Sequence, residues 1–269
     1  MIQTIGMIGT GNMGSAILRG IVDAGYVKAG QLTAFDESKR RLNEICEEIR
    51  GLIPARDSRE VAERADMIII AVKPLYVREV IEEMKPALAG KAVVSIAAGW
   101  TVRMLSEALK DSGAAWLRVM PNTPALVGEG MTAICDDTTL SPEDFDYAKG
   151  IFDSVGKTLV LPERLFDGVT AISGSSPAYV YMMIEAMADA GVREGLPRTC
   201  AYEMAAQSVL GSALMVLSSG THPAALKDAV CSPGGTTIEA VEELERKGFR
   251  AAIMDAMKAC ADRSREMSK

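Results

Sequence analysis

Gly9-Thr10-Gly11-Asn12-Met13-Gly14 sets three glycines at G-x-G-x-x-G spacing between an apolar run, Thr4 to Ile8, and a stretch of helical periodicity. Anion binding is the chemistry that such a spacing serves. The first glycine permits a tight turn, the second lets a pyrophosphate approach the backbone, and the third allows helix and strand to pack closely. The helix N-terminus then offers unpaired N–H groups. A glycine-rich turn without a ligand is the alternative, but the preceding strand, the following helix and the N-terminal position favour a nucleotide, with Gly9, Thr10, Gly11, Asn12, Met13 and Gly14 as its contacts. Asp36 lies about 20 residues further on, at the end of the next apolar run, where a carboxylate accepts hydrogen bonds from an adenosine ribose diol. That leans toward NADH, because a 2′-phosphate beside the carboxylate is repelled by about 1 kcal/mol per charge pair at 4 Å in water. Lys39, Arg40 and Arg41 follow at once. They could clamp such a phosphate, although a solvated face at a helix start explains them better.

Three further strand ends carry candidates, since ligands of open α/β sheets bind outside the carboxyl ends of the strands. Ala71-Val72-Lys73-Pro74 places a lysine where it can meet a cofactor phosphate or hydroxyl; taken alone, it is more often a surface lysine. Ala97-Ala98-Gly99 leaves room for a dihydropyridine ring, though a simple turn explains it equally well. Asn122, between the prolines of Met120-Pro121-Asn122-Thr123-Pro124, offers both donor and acceptor. Far downstream, Cys231-Ser232-Pro233-Gly234-Gly235-Thr236-Thr237-Ile238-Glu239 interrupts two helical segments with hydroxyls and paired glycines. Ser232, Gly234, Gly235, Thr236 and Thr237 could bind a carboxylate through N–H groups, hydroxyls and a positive helix end, without lysine or arginine. Thr236 and Glu239 also have the spacing of a capping box, so the same residues can start a helix. Ser173-Gly174-Ser175-Ser176-Pro177 reads as a helix–helix contact in preference to a pocket wall.

Composition narrows the field. The chain of 269 residues is 48% hydrophobic and 24% charged, which excludes wholesale disorder and suits one large domain or two modest ones. A net charge of −7 argues against nucleic acid and, weakly, against an anionic membrane. The five cysteines include no C-x-x-C pair, so neither a disulfide framework nor a zinc cluster is expected, and a reducing cytoplasm fits best. Met1 to Gly14 lacks the basic start of a signal peptide, and no apolar run is expected to span a membrane. With His222 the sole histidine, mechanisms and metal sites that need an imidazole pair are excluded. His222 itself is expected to cap or pack at the helix start marked by Pro223.

These residues must be positioned by two different textures. As far as Leu161, short apolar runs alternate with helical periodicity: Thr4 to Ile8, Leu32 to Phe35, Met67 to Val72, Ala92 to Ile96, Leu117 to Met120, Met131 to Cys135 and Lys157 to Leu161. This is the pattern of a parallel, doubly wound Rossmann-type sheet in residues 1–161. Ser141-Pro142-Glu143-Asp144 carries a helix-start signature. From Pro162 the β-branched runs vanish and Ala/Met-rich segments take over, so residues 162–269 are expected to form an all-helical domain. Tyr179 to Met187 is apolar around much of its circumference, as expected of a helix buried in an oligomer interface or in a helical core.

The glycine loop, Ala71 to Pro74, Ser95 to Gly99, Met120 to Pro124, Ser173 to Tyr179, and Leu226-Lys227-Asp228 leading into Ser232 to Thr237 together resemble the pyrroline-5-carboxylate reductases over essentially the whole chain. The last of these motifs is the most specific. The resemblance implies reduction of a cyclic imine to L-proline by NAD(P)H, the last step of proline biosynthesis. It implies a helical half forming an interlocked dimer, often assembled into a decamer as a pentamer of dimers, with the active site between subunits. Gly9, Gly11 and Gly14 would seat the pyrophosphate, Lys73 and Ala97 to Gly99 would position the cofactor, and Ser232 to Thr237 would hold the substrate carboxylate. Asp36 departs from many relatives, which carry a neutral residue there and use NADPH readily, so the choice of cofactor stays open.

In this reading the imine arrives already protonated, and Thr237 supplies a hydrogen bond, since an unperturbed hydroxyl is too weak an acid for efficient proton donation near neutrality. Two rival readings remain: a two-domain reductase of a β-hydroxy acid, which would usually need a buried lysine in the helical half, where only Lys227 qualifies, and a non-catalytic nucleotide sensor.

Overall fold

A computed structural model describes residues 2–268; Met1 and Lys269, the ends of the two expected domains, lie outside the described residues. Strand β1 (Ile5–Ile8) leads into helix α1 (Asn12–Asp23), which stops at Gly25, whose φ of +66° an L side chain rarely adopts. Then follow β2 (Leu32–Phe35), α2 (Lys39–Glu48), the two-residue β3 (Ile53–Pro54), α3 (Ser58–Arg64), β4 (Met67–Ile70), α4 (Val77–Met84), β5 (Ala92–Ser95), α5 (Val102–Ala108) and β6 (Ala115–Met120). Next come β7 (Gly130–Cys135), α6 (Pro142–Asp153) and β8 (Gly156–Leu161). Ser141 caps α6 by accepting from the Asp144 N–H, with Pro142 in the first turn, as its sequence signature predicts.

The eight strands form one sheet in the order β3-β2-β1-β4-β5-β6-β7-β8. The fold class is as expected, with one difference: β7 runs antiparallel to β6. A parallel return needs a crossover of a dozen or more residues. The link between Met120 and Gly130 holds only a short helical turn, Thr123–Val127, so the chain can only fold back. Each face of the sheet carries its own core. In β4, Met67 and Ile69 pack on one side and Ile68 and Ile70 on the other, which is why this strand reads as an unbroken apolar run.

After β8 the chain forms α7 (Phe166–Val169), a π-helical turn at Thr170–Gly174, α8 (Ser176–Arg193), α9 (Arg198–Ser219), α10 (Pro223–Val230), α11 (Thr236–Arg246) and α12 (Phe249–Met267). By packing, the chain divides into two units: residues up to Ser175 together with Cys260 onward, and Ser176–Ala259. The texture of the sequence changes at Pro162, whereas the packing unit of the sheet continues through the next thirteen residues. Phe166 is buried in the sheet's core, and a Cβ on Gly174 would lie 2.9 Å from the Met120 Cε. The small residues at Ser173–Ser175 thus make a contact, with the end of β6. Later, Ser264 donates to Asp167 at 2.6 Å and the Cys260 thiol to the Ser175 hydroxyl at 3.2 Å, holding the end of α12 within the same unit.

In the second unit α8 and α9 form an antiparallel pair through small residues. A Cβ on Gly191 would stand 3.2 Å from Leu196 and 3.4 Å from Ala201. Among the described residues of this unit only Ala188, Ala201 and Ala205 are buried hydrophobics, while Met182, Leu217 and Met254 are each more than 60% exposed. The expectation that no segment approaches a membrane span does not hold for α9, which by length and composition is apolar enough to cross one. Arg198 and Glu203 near its start and the serines within it hide a stretch without charge from Met204 to Ser219.

Candidate active site

Gly9 closes the turn after β1 at φ +96°, where a Cβ would also strike the Ala71 carbonyl oxygen at 2.6 Å. A Cβ on Gly14 would fall 2.0 Å from the Gly9 carbonyl oxygen, so α1 can start this close to β1 only without a side chain there. Gly11 caps α1 with no side-chain bond, and the first turn carries no acidic residue, leaving the helix's leading N–H groups for another acceptor. Beyond its chain neighbours, a Cβ on Gly11 would meet one atom within 4 Å among the described residues, the Arg41 Nη1 at 3.7 Å. The approach to the backbone at this point is open.

The loop borders a cavity of about 1350 Å³. Of the sequence-derived candidates, Gly9, Thr10, Gly11, Asn12, Asp36, Ala71, Val72 and Lys73 line it. Parallel pairing of β2, β1 and β4 brings them together, because it puts all three carboxyl ends on one edge of the sheet. Met13 and Gly14 turn inward: Gly14 is buried, and Met13 packs on Ala16, Ala125 and Val155. Pro74 opens a helical turn whose carbonyl accepts from the Trp100 indole at 2.8 Å, tying the loop after β4 to the loop after β5. In that second loop Ala97 is buried and Gly99 adopts φ +77°, with Met267 against it.

Asp36 sits at the end of β2 as expected, and the structure adds what its carboxylate does within the chain. One oxygen accepts from the Thr10 N–H at 2.8 Å and from its hydroxyl at 3.3 Å; the other accepts from the Ser38 N–H at 2.8 Å. Asn122 is similarly engaged: its amide donates to the Ser173 carbonyl at 2.9 Å and its oxygen accepts from the Met131 N–H at 2.8 Å. It shapes the loop between β6 and β7. Sequence reasoning missed Ser58, which lines the cavity with a buried hydroxyl that has no partner among the described residues. Its only signal is a serine after Asp57, and that reads as an ordinary helix start, the role in which Asp57 indeed accepts from the Glu60 N–H.

In the second unit, Ser232 to Gly235 form a tight turn in which the Gly235 N–H donates to the Ser232 carbonyl at 3.0 Å and Gly234 has φ +66°. The cap of α11 is Gly235, with no side-chain bond; Thr236 is the first helical residue, so the capping box expected from Thr236 and Glu239 does not form. A Cβ on Gly235 would lie 2.3 Å from the Ser232 hydroxyl, which sets the cap one residue early. Thr236 is exposed and Thr237 half-buried at this helix start. Just upstream, the Lys227 ammonium pairs with Asp228 at 2.9 Å; that hydrogen bond and the carboxylate's charge raise its pKa. His222 caps α10, its Nδ1 accepting from the Ala224 N–H at 3.2 Å. Among the described residues no cluster of three metal-ligating side chains occurs.

Comparison with known proteins covers the whole chain. The pyrroline-5-carboxylate reductase of Escherichia coli is 48% identical over 270 residues, covering 100% of both chains. The chain belongs to the pyrroline-5-carboxylate reductase family. The family model for pyrroline-5-carboxylate reductase dimerisation matches residues 163–267, and one described as NADP oxidoreductase, coenzyme F420-dependent, matches residues 4–99. The pyrroline-5-carboxylate reductase of Arabidopsis thaliana is 42% identical over 98% of this chain and 95% of its own. Among solved structures, Plasmodium falciparum pyrroline carboxylate reductase with NADP bound superposes with a TM-score of 0.90 at 35% identity, covering 99% of this chain and 98% of that one.

Proposed function

We propose that this protein reduces L-1-pyrroline-5-carboxylate to L-proline with NAD(P)H, the last step of proline biosynthesis, and the observation that carries this is its full-length 48% identity with a reductase of that name. The cavity beside a glycine cradle supports a dinucleotide as the reductant. When bound, the reduced nicotinamide supplies a hydride to the imine carbon.

The chain's own residues bind and orient. Gly9, Gly11 and Gly14 seat the pyrophosphate against the start of α1, with Thr10, Asn12 and Met13 supplying the intervening backbone. Lys73 offers an ammonium at the cavity wall beside Ala71 and Val72, and Pro74 starts the turn that follows. Ala97, Ala98 and Gly99 form the loop that faces the dihydropyridine end of the cofactor, and Asn122 positions the neighbouring loop. At the start of α11 the leading N–H groups, with Ser232, Gly234, Gly235 and Thr236, hold the substrate carboxylate. Thr237 hydrogen-bonds the ring nitrogen of an imine that arrives protonated, so that hydride addition completes the amine without a strong acid in the protein. Orientation of two bound reactants supplies a large share of such a rate.

Lys227 argues against the β-hydroxy-acid reading, which asks for a buried lysine, because its side chain is well exposed and its pairing with Asp228 favours the protonated form. The exposed apolar faces of α8 and α9 support a homodimer, with a pentamer of dimers as the larger assembly. Following NAD(P)H absorbance at 340 nm with pyrroline-5-carboxylate tests the reading. Thr237→Ala should lower kcat while leaving NAD(P)H binding intact. Oxidation only with a β-hydroxy acid, or cofactor binding with no turnover of any imine, would overturn it.

A further inference from the structure

The turn after β4 and the turn after β5 each close on themselves and are then joined by one side chain. The Tyr76 N–H donates to the Lys73 carbonyl at 3.0 Å, and the Trp100 N–H donates to the Ala97 carbonyl at 3.4 Å. Between the two turns runs the Trp100 indole N–H, which donates to the Pro74 carbonyl at 2.8 Å. Trp100 is only 5% exposed and belongs to the core on that face of the sheet, with the Arg78 guanidinium 5.9 Å from the centre of its ring. The Pro74 carbonyl also accepts from the Val77 N–H, so it is satisfied without the tryptophan. The indole bond is therefore surplus to the helical turn that Pro74 opens, and what it fixes is the spacing of the two turns. That spacing bears on the cavity, because Lys73 and Tyr76, on either side of Pro74 in the turn, both line it, while Trp100 is not part of the lining.

We infer that Trp100 is a positioning residue of the cofactor site: its indole N–H locks the Lys73–Tyr76 turn to the Ala97–Trp100 turn, so that both are in place before the nicotinamide half of the dinucleotide arrives. Two short turns at adjacent strand ends can part without breaking the hydrogen bond that closes either one. If nothing joins them, the ligand must order them on binding, and that cost is subtracted from its affinity. The adenosine half does not share this dependence. It rests on the glycine loop, which has supports of its own in the bonds from Thr10 to Asp36 and in the close packing of Gly14 on Gly9. This assignment rests on the dinucleotide reading of the cavity.

Two substitutions separate the donor from the bulk of the side chain. Trp100→Phe keeps an apolar ring and loses the N–H. Trp100→His loses much of the bulk, but its ring overlays the pyrrole half of indole and presents an Nε2–H where the indole N–H stood. Binding of NADPH is measured by fluorescence titration on the whole protein without imine, at about pH 8, where an unperturbed imidazole is neutral. Binding of 5′-AMP, the adenosine half alone, is measured by displacement of NADPH. Trp100→Phe should weaken NADPH about three- to tenfold, the ratio that one neutral hydrogen bond is worth, and 5′-AMP by less than about twofold. Trp100→His should bind NADPH more tightly than Trp100→Phe, although its urea midpoint should be the lower of the two. The assignment would be overturned if NADPH affinity followed bulk, with Trp100→Phe near the wild type and Trp100→His weakened. Equal weakening of NADPH and 5′-AMP in Trp100→Phe would overturn it too, since that is what a purely structural role predicts. Either result leaves the dinucleotide site standing, whereas failure of the wild-type protein to bind NADPH would overturn the cavity's reading as well.

Discussion

Glu163 is placed to decide how firmly the segment after β8 is held to the sheet, and replacing it with alanine isolates that contribution. Its Oε1 accepts from the Arg118 guanidinium at 2.5 Å and from the Val102 N–H at 2.6 Å, joining β6, the start of α5 and the turn before α7. Arg118 is only 5% exposed and stacks 4.5 Å above the Phe166 ring. Glu163→Ala strands a buried cation and a backbone donor together. Breaking a buried pair in this way costs about 3–5 kcal/mol, and because the Glu163 side chain is 30% exposed, water can reach the gap and the lower end applies. A loss of about 3 kcal/mol corresponds to roughly 6–12 °C in Tm for a unit of this size. Glu163→Gln, which keeps an acceptor, should cost only about 1–2 kcal/mol. The double variant Arg118→Met with Glu163→Ala should be more stable than Glu163→Ala alone, since no charge is then stranded. Denaturant midpoints at fixed protomer concentration measure all three. A loss below about 1 kcal/mol in Glu163→Ala, or strict additivity in the double variant, would refute the reasoning.

Gly14→Ala drives a methyl to 2.0 Å from the Gly9 carbonyl oxygen, so the loop must shift; stability should fall by about 1–3 kcal/mol and dinucleotide affinity with it, as read by denaturation and calorimetry. His222→Ala removes only the α10 cap, so stability should drop by about 0.5–2 kcal/mol while kcat with the cyclic imine is retained; loss of turnover with both ligands still bound would restore a chemical role to the imidazole. Burial pushes the Asp66 carboxyl up, but hydrogen bonds from the Gln3 N–H and from the hydroxyl and N–H of Thr4 outweigh it and leave the pKa lowered. Its contribution is therefore present above about pH 4 and is lost as the pH falls through the folded-state value, so an acid titration of Tm should be flatter below about pH 4 in Asp66→Asn.

Much of the sheet was legible because its central strands are buried on both faces and leave unbroken apolar runs; Met67 to Ile70 needs no context to be read. The glycine loop was legible for a related reason. A turn at positive φ, an open approach and a close helix–strand contact each exclude side chains, and three exclusions at fixed spacing leave a mark in the sequence. By contrast, β3 is two residues long and β7 pairs antiparallel, and neither fact has a local signature: one follows from contact with β2, the other from the length of the link after β6.

At the site, residue type and position were set by the chain alone, while partners were decided by folding. Asp36 and Asn122 appear in the sequence as free acceptors and donors, yet each is bonded to backbone groups that come from elsewhere in the chain. Arg41 reads as a solvated helix start, and only its approach to Gly11 sets it apart from Arg40. Thr236 has the spacing of a cap, and the turn at Gly235 takes that role from it. The division has a single physical cause. Burial, helix capping and backbone freedom act over a few residues and are written locally, whereas a hydrogen bond or ion pair across the fold exists only once separate strand ends have been brought to the same edge of the sheet.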